Sequence, residues 1–152
     1  MTWQRGAARI DALLAAGNLE LVRGIAADGG ALLQSATRLL ASAERESAAN
    51  PEATYVLAYD SARKACAALL AQQGLRTKAS GHHVTTEEVV RAQFGGPFES
   101  FGALRSPRSE IEYPRQPGDD VTFTEGIEAI ATARAIVDAA AALLVQLTMY
   151  RK

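Results

Sequence analysis

Two long stretches of this chain repeat their apolar residues every three or four positions, the pattern of a helix that buries one face. The first stretch carries the apolar residues Leu32, Leu33, Ala36, Leu39, Leu40 and Ala43. Asn50, Pro51 and Glu52 then supply an N-cap side chain, a proline at the first helical position and an acid in the first turn. A second helix therefore begins at residue 51. Because the turn before it is short, we expect the two helices to be antiparallel neighbours.

The rest of the sequence also favours helices. Alanine is abundant, and no stretch shows the sustained alternation of β-branched and polar residues that is typical of strands. Thr85 with Glu88, and Thr122 with Glu125, have the spacing of capping boxes that open two further helices. The 152 residues suit one domain. The sequence predicts an all-α fold, in which residues 29–152 form an antiparallel bundle of four to five core helices and residues 1–28 form a short helical appendage.

Charge and cysteine content limit the class of protein. The net charge is −1, but the segment from Arg63 to Arg115 contains eight basic residues and only five acidic ones. This imbalance favours a small local phosphate site over a long nucleic-acid track. The single cysteine, Cys66, excludes an internal disulfide and cannot make a structural zinc site alone. We expect a cytoplasmic protein with no membrane segment, no metal and no cofactor.

Residues 104–114 carry the densest group of recognition side chains. On a helix, Arg105, Arg108, Ser109, Glu112 and Tyr113 would share an arc of roughly 140°. Guanidinium groups suit phosphate or carboxylate partners, so we interpret this face as a candidate ligand site. The alternative is a surface ladder of ion pairs that links Arg108 to Glu112. Pro107 either kinks this helix or restarts it, with Ser106 as its cap.

A second polar group lies in the helix that begins at residue 51. It consists of Tyr59, Asp60, Arg63 and Lys64. These side chains either line the same site as the arginines or extend charged ends to solvent from buried stems.

His82 and His83 lie in residues 74–84, which the sequence predicts to be a loop. A metal site is disfavoured because no third ligand stands at a suitable spacing. Either histidine could contact phosphate or transfer a proton, and a solvated or capping role is the alternative.

Three motifs together resemble a HEPN domain, a helical module named for higher eukaryotes, prokaryotes and nucleotide binding. They are Tyr-Asp-Ser-Ala-Arg-Lys-Ala at residues 59–65, Gly-His-His at residues 81–83, and the arginine-rich segment that ends in Glu-Tyr-Pro at residues 112–114. The resemblance spans about residues 31–150. It implies a four- to five-helix bundle that is often dimeric.

Many proteins of this family are RNA-cleaving toxins or RNA-processing enzymes, in which an arginine is followed four to six residues later by a histidine. Arg105 and Arg108 match the arginine position, but Glu110, Glu112 or Tyr113 stands at the histidine position. Arginine cannot exchange a proton at neutral pH, whereas imidazole can.

The resemblance therefore implies a binding module for a nucleotide, an RNA or a protein partner, and the missing histidine argues against ribonuclease activity. We expect a homodimer that belongs to a toxin–antitoxin or nucleotidyltransferase-linked system, with a nucleotidyltransferase-like protein as a partner. One alternative is a metal-independent ribonuclease that uses Arg105, Arg108 and His82 or His83. The other is a purely structural dimeric interaction module.

Overall fold

The computed structural model describes residues 3–78, 82–114, 116, 118 and 120–151. Inside the helices, the side chains of His82, Ser106, Arg108, Ser109, Glu110 and Glu112 lie outside this description. The described chain is mostly helical, which confirms the all-α prediction at that level. Its helices are α1 (Ala7–Ala15), α2 (Gly30–Glu46), α3 (Pro51–Gln72), α4 (His82–Gln93), α5 (Phe101–Glu112) and α6 (Phe123–Leu144). Two short strands, β1 (Leu19–Leu21) and β2 (Leu75–Thr77), and two 3-10 helices, Gly24–Ala27 and Gly96–Ser100, connect them.

Helix α3 is the centre of the fold and packs against α2, α4, α5 and α6. Its start is the one that the sequence predicts, because the Asn50 side chain accepts a hydrogen bond from the Ala53 N–H at 3.1 Å. Ser61 Oγ donates to the Ala36 carbonyl at 2.6 Å, and Lys64 Nζ donates to Ser35 Oγ at 2.8 Å. Later residues of α3 thus contact earlier residues of α2, as in an antiparallel pair.

Helix α6 covers another side of α3. Thr122 caps it by accepting a hydrogen bond from the Glu125 N–H at 3.1 Å, in agreement with the predicted start. The residues that α6 buries include Ala129, Ala133 and Ala140, whose small side chains allow close approach of two helices. In the described part of the chain, no helix combines the length and the apolar character that a membrane span requires.

The predicted loop at residues 74–84 is wrong in part. Residues 75–77 form strand β2, which pairs with β1 in antiparallel register so that Leu19 faces Thr77 and Leu21 faces Leu75. The pairing buries Leu19 and Leu75 and satisfies backbone groups that a loop would expose to water. The helical appendage predicted for residues 1–28 accordingly contains a strand.

The predicted start of α4 is also wrong. Helix α4 begins at His82 rather than after Thr85, so both histidines lie in its first turn and not in a loop. Thr85 is buried inside the helix and therefore does not cap it.

The amino-terminal residues contribute to the common core. Ile10, Leu13 and Leu19 are buried in the same apolar cluster as the residues of α3. Trp3 Nε1 donates to the Gln93 carbonyl at 3.1 Å, which ties the beginning of the chain to the end of α4. The domain boundary at residue 28 stays a prediction.

Candidate functional site: the groove between α4 and α5

Helix α5 carries the arginine-rich segment and continues through Pro107 without a restart at Ser106. It ends at Glu112. The next residue, Tyr113, precedes Pro114, and helical geometry is disfavoured for a residue that precedes proline. Tyr113 therefore lies one residue beyond the helix, with 76% of its surface exposed. The predicted contacts of Arg108, Ser109 and Glu112 concern side chains outside the described part of the structure.

Arg105 crosses from α5 to α4, where it meets a carboxylate. Its Nε donates to Glu87 Oε2 at 3.2 Å, and Arg91 Nη1 lies 3.4 Å from Glu87 Oε1. The Glu87 side chain is only 12% exposed, so two guanidinium groups converge on one largely buried carboxylate. We name these three residues the arginine–glutamate cluster.

Gly102 makes this arrangement possible. A Cβ at residue 102 would overlap the Glu87 carboxylate. The missing side chain thus lets Glu87 lie against the backbone of α5, one turn before Arg105.

The cluster forms one wall of an open groove of about 540 Å³. The groove is lined by Val84, Glu87, Glu88, Arg91, Ala92, Glu99 and Arg105. Glu88 is also paired with Arg9 of α1. With Arg9 included, three positive and three negative side chains surround the groove, so its overall charge is close to neutral.

His83 and Tyr59 form a second polar contact next to the cluster. The Tyr59 hydroxyl lies 3.1 Å from His83 Nδ1, and the Tyr59 ring stacks on Phe101 with 5.7 Å between ring centroids. His83 is four residues before Glu87 on α4, and Phe101 is four residues before Arg105 on α5. The contacts of Tyr59 therefore lie one helical turn from the arginine–glutamate cluster, on the same faces of the two helices. The hydrogen bond to Nδ1 holds the imidazole ring in one orientation.

The other predicted site residues of α3 are placed differently. Lys64 contacts Ser35 on α2, so it belongs to the packing of α2 on α3 and not to the groove. Asp60 Oδ1 lies 3.8 Å from Arg63 Nε in a pair three residues apart. Of the four candidates on α3, the structure brings Tyr59 into contact with α4 and α5.

Glu87 and Arg91 were not among the site residues that the sequence predicts. Their spacing of four residues on a predicted helix was a visible signal of an ion pair. The approach of Arg105 from another helix was not visible, because it depends on how α5 packs.

Two further features of the described residues bear on chemistry: the groups that could bind a metal ion and the thiol of Cys66. Within the described ranges, no group of three or more His, Cys, Asp or Glu side chains could hold a metal ion. Burial raises the pKa of the Cys66 thiol above its ordinary value, with a smaller contribution from Glu87. Cys66 therefore stays protonated and is a poor nucleophile.

Comparison with known proteins identifies no relative. No protein-family model matches the chain, and no curated protein or solved structure matches it.

Proposed function

We propose that the chain is a HEPN-like helical protein that binds a phosphate-bearing ligand, a nucleotide or single-stranded RNA, in the groove between α4 and α5. The observation that carries this proposal is the convergence of Arg91 and Arg105 on Glu87. The resemblance of residues 31–150 to the HEPN family adds the expectation of a dimer and of a nucleotidyltransferase-like protein partner. A role in a toxin–antitoxin system is part of the same proposal.

Two converging guanidinium groups favour an anion with several acceptor oxygens. Arg105 uses only Nε in its contact with Glu87, while a guanidinium carries five N–H donors. Both arginine side chains are partly exposed to the groove. A phosphate group could therefore bind the outer N–H groups, or displace Glu87, in charge-assisted hydrogen bonds.

The near neutrality of the groove limits the kind of ligand. A long polyanion would gain little from a surface with as many carboxylates as guanidinium groups, so we expect contacts to about two phosphates. For single-stranded RNA, two phosphate contacts give a slope of about −1.4 in a plot of log K against log salt concentration. A much steeper slope would indicate a different and larger basic surface.

The binding experiment measures fluorescence anisotropy of a labelled 12-nucleotide RNA of mixed sequence, with ADP as a competitor. We expect Arg105→Ala to weaken binding by more than tenfold, because it removes one of the two guanidinium groups of the cluster. Arg108→Ala tests the neighbouring arginine whose side chain lies outside the described structure, and the same loss is expected if it contacts the ligand.

Arg76→Ala is the matched control. Arg76 is an exposed arginine that pairs with Glu20 at 2.6 Å, and it lines no part of the groove. The control should therefore bind RNA as the wild type does. Absence of binding by the wild type would contradict the proposal and favour the purely structural interaction module.

A specific contact also supports a ribonuclease as a second candidate function. His83 is held by Tyr59 one turn from the arginine–glutamate cluster, and an imidazole could accept the proton of an RNA 2′-hydroxyl while Arg105 stabilises the phosphorane. We nevertheless expect binding without cleavage, because the histidine of the family motif is missing from α5.

The cleavage experiment incubates the same RNA with protein in EDTA. The wild type should cleave it no faster than the Arg105→Ala, Arg108→Ala double variant. Cleavage by the wild type that is lost in this variant and in a His82→Ala, His83→Ala variant would establish the ribonuclease function instead.

A further inference from the structure

A second pocket, of about 180 Å³, lies where α3, β2 and α4 meet the 3-10 helix Gly24–Ala27. It shares no lining residue with the groove between α4 and α5. Most of its wall is apolar and consists of Ala26, Leu32, Ala67, Leu70, Ala71 and Leu75. The pocket is therefore suited to an uncharged, largely apolar molecule.

The pocket exists because α3 presents two small side chains toward it. Ala67 and Ala71 are one helical turn apart and both line the pocket, so larger side chains are missing from adjacent positions. An apolar cavity of about 150 Å³ is large enough to bind benzene. The volume here therefore suits one six-membered ring.

Thr86 gives the pocket one polar group. Thr86 is 6% exposed and lines the pocket from α4. Within the described part of the chain its hydroxyl has no hydrogen-bond partner, whereas buried hydroxyls in proteins are usually paired. A bound molecule with a hydroxyl group would supply the missing partner.

The remaining polar residues form the rim. Arg76 is exposed and paired with Glu20, so its charge is already balanced and does not call for an anionic ligand. Thr77 lies beside it on β2.

We propose that this pocket binds a small phenol-like molecule, whose ring contacts Ala67, Ala71 and Leu75 and whose hydroxyl bonds to Thr86 Oγ1. The inference is independent of the proposed function, since it involves neither Arg105 nor Glu87. It adds a binding site for an uncharged aromatic ligand to a protein whose other site favours anions.

The test compares phenol with toluene, which has nearly the same shape and lacks the hydroxyl. Both are titrated into the full chain and followed by NMR chemical-shift changes. Wild-type protein should bind phenol roughly 2- to 10-fold more tightly than toluene, the effect of one net hydrogen bond. Thr86→Val keeps the shape of the side chain and should remove this preference.

Ala67→Leu should fill the pocket and reduce binding of both probes at least tenfold. Ala71→Leu repeats the test one turn later, in case the first variant does not fold. Ala135→Leu, the same substitution on the exposed face of α6, should bind both probes as the wild type does.

Two results would overturn the inference. One is the absence of binding of either probe to the wild type, and the other is equal binding by the wild type and a folded pocket-filling variant. A preference for phenol that survives in Thr86→Val would remove Thr86 from the site and refute the proposed hydrogen bond.

Discussion

Tyr150 shows how a single side chain connects the two ends of the chain. Its hydroxyl lies 2.7 Å from Asp11 Oδ1 and 3.1 Å from the Ala7 carbonyl oxygen, both in α1. Its backbone N–H donates to the Gln73 carbonyl at 2.8 Å. Burial, followed by the hydrogen bond and the charge of Asp11, raises the pKa of Tyr150 to about 12 from its ordinary value of 10.0.

This pKa shift predicts how stability changes in alkaline solution. Because the folded state holds the phenol proton more tightly, the contribution of the neutral phenol is complete below pH 10 and is lost as the pH rises toward 12. Tyr150→Phe removes the hydroxyl and should lower the free energy of unfolding by about 1–2 kcal/mol at pH 8. Urea unfolding at pH 8 and pH 11 measures both effects.

The difference between wild type and Tyr150→Phe isolates the effect from other groups that titrate in this range. It should shrink between pH 10 and pH 12. A difference that stays constant over this range would mean that the Tyr150 hydroxyl is not held by Asp11.

At the scale of elements, the ends of α3 and α4 are joined by a pair of buried amides. Gln73 Nε2 donates to Gln93 Oε1 at 2.7 Å, and Gln93 Nε2 donates back to Gln73 Oε1 at 2.9 Å. Both residues are at most 1% exposed. Each amide thus donates one hydrogen bond to the other and accepts one in return, inside the core.

Removing one amide of this pair should be costly, because its buried partner is then left unpaired. Removing both amides leaves neither of them unpaired. Gln73→Leu leaves the buried Gln93 amide without its partner and should lower the free energy of unfolding by about 1–3 kcal/mol. The Gln73→Leu, Gln93→Leu double variant removes both polar groups and should be less destabilised than the sum of the single variants. Urea unfolding of all four proteins gives the coupling energy, and additive effects would show that the two amides act independently.

The elements also differ in how far the sequence could predict them. The starts of α3 and α6 depend on Asn50 and Thr122, whose capping bonds reach only three residues along the chain. The β1–β2 pair joins strands of three residues each across more than fifty positions, so no local pattern could indicate it. Helix α4 begins at His82, before the capping pattern at Thr85. Its first turn contains His83, which contacts Tyr59 on another helix, and the local sequence does not reveal this contact.

The residues of the candidate site were likewise predicted only in part. Arg105 was predicted because arginines are concentrated in one segment of sequence. Glu87 was not, because its role depends on Gly102 and Arg105, which only the packing of α5 brings to it. Residue types can therefore suggest a ligand class, while the partner of each residue is set by tertiary structure.

At the scale of the whole molecule, α6 leaves one continuous stripe of its surface exposed. The outer stripe consists of Phe123, Ile127, Ala131, Arg134, Asp138, Ala141 and Val145. On a helix these positions lie within an arc of about 80°. The ends of the stripe are apolar, since Phe123, Ile127 and Val145 are large exposed hydrophobic residues, and opposite charges occupy its middle.

The outer stripe is complementary to a second copy of itself. If two α6 helices pair antiparallel about a two-fold axis near residue 136, Ile127 meets the partner's Val145. Arg134, which also pairs with Glu44 of its own chain, then meets the partner's Asp138. Such an isologous interface buries the same stripe on both copies. The predicted homodimer would therefore bury this surface on both copies.

Light scattering at micromolar concentration should therefore give twice the mass of 16.1 kDa. The Ile127→Glu, Val145→Glu double variant places carboxylates at both apolar ends of the outer stripe and should be monomeric with unchanged helical content by circular dichroism. Leu21→Glu changes an exposed leucine on β1 and should remain dimeric, which controls for a general effect of added charge. A monomeric wild type would contradict the dimer itself. If the outer stripe is the interface, the double variant buries carboxylates without partners, which would separate the two α6 helices. A double variant that remains dimeric would therefore exclude the outer stripe as the interface.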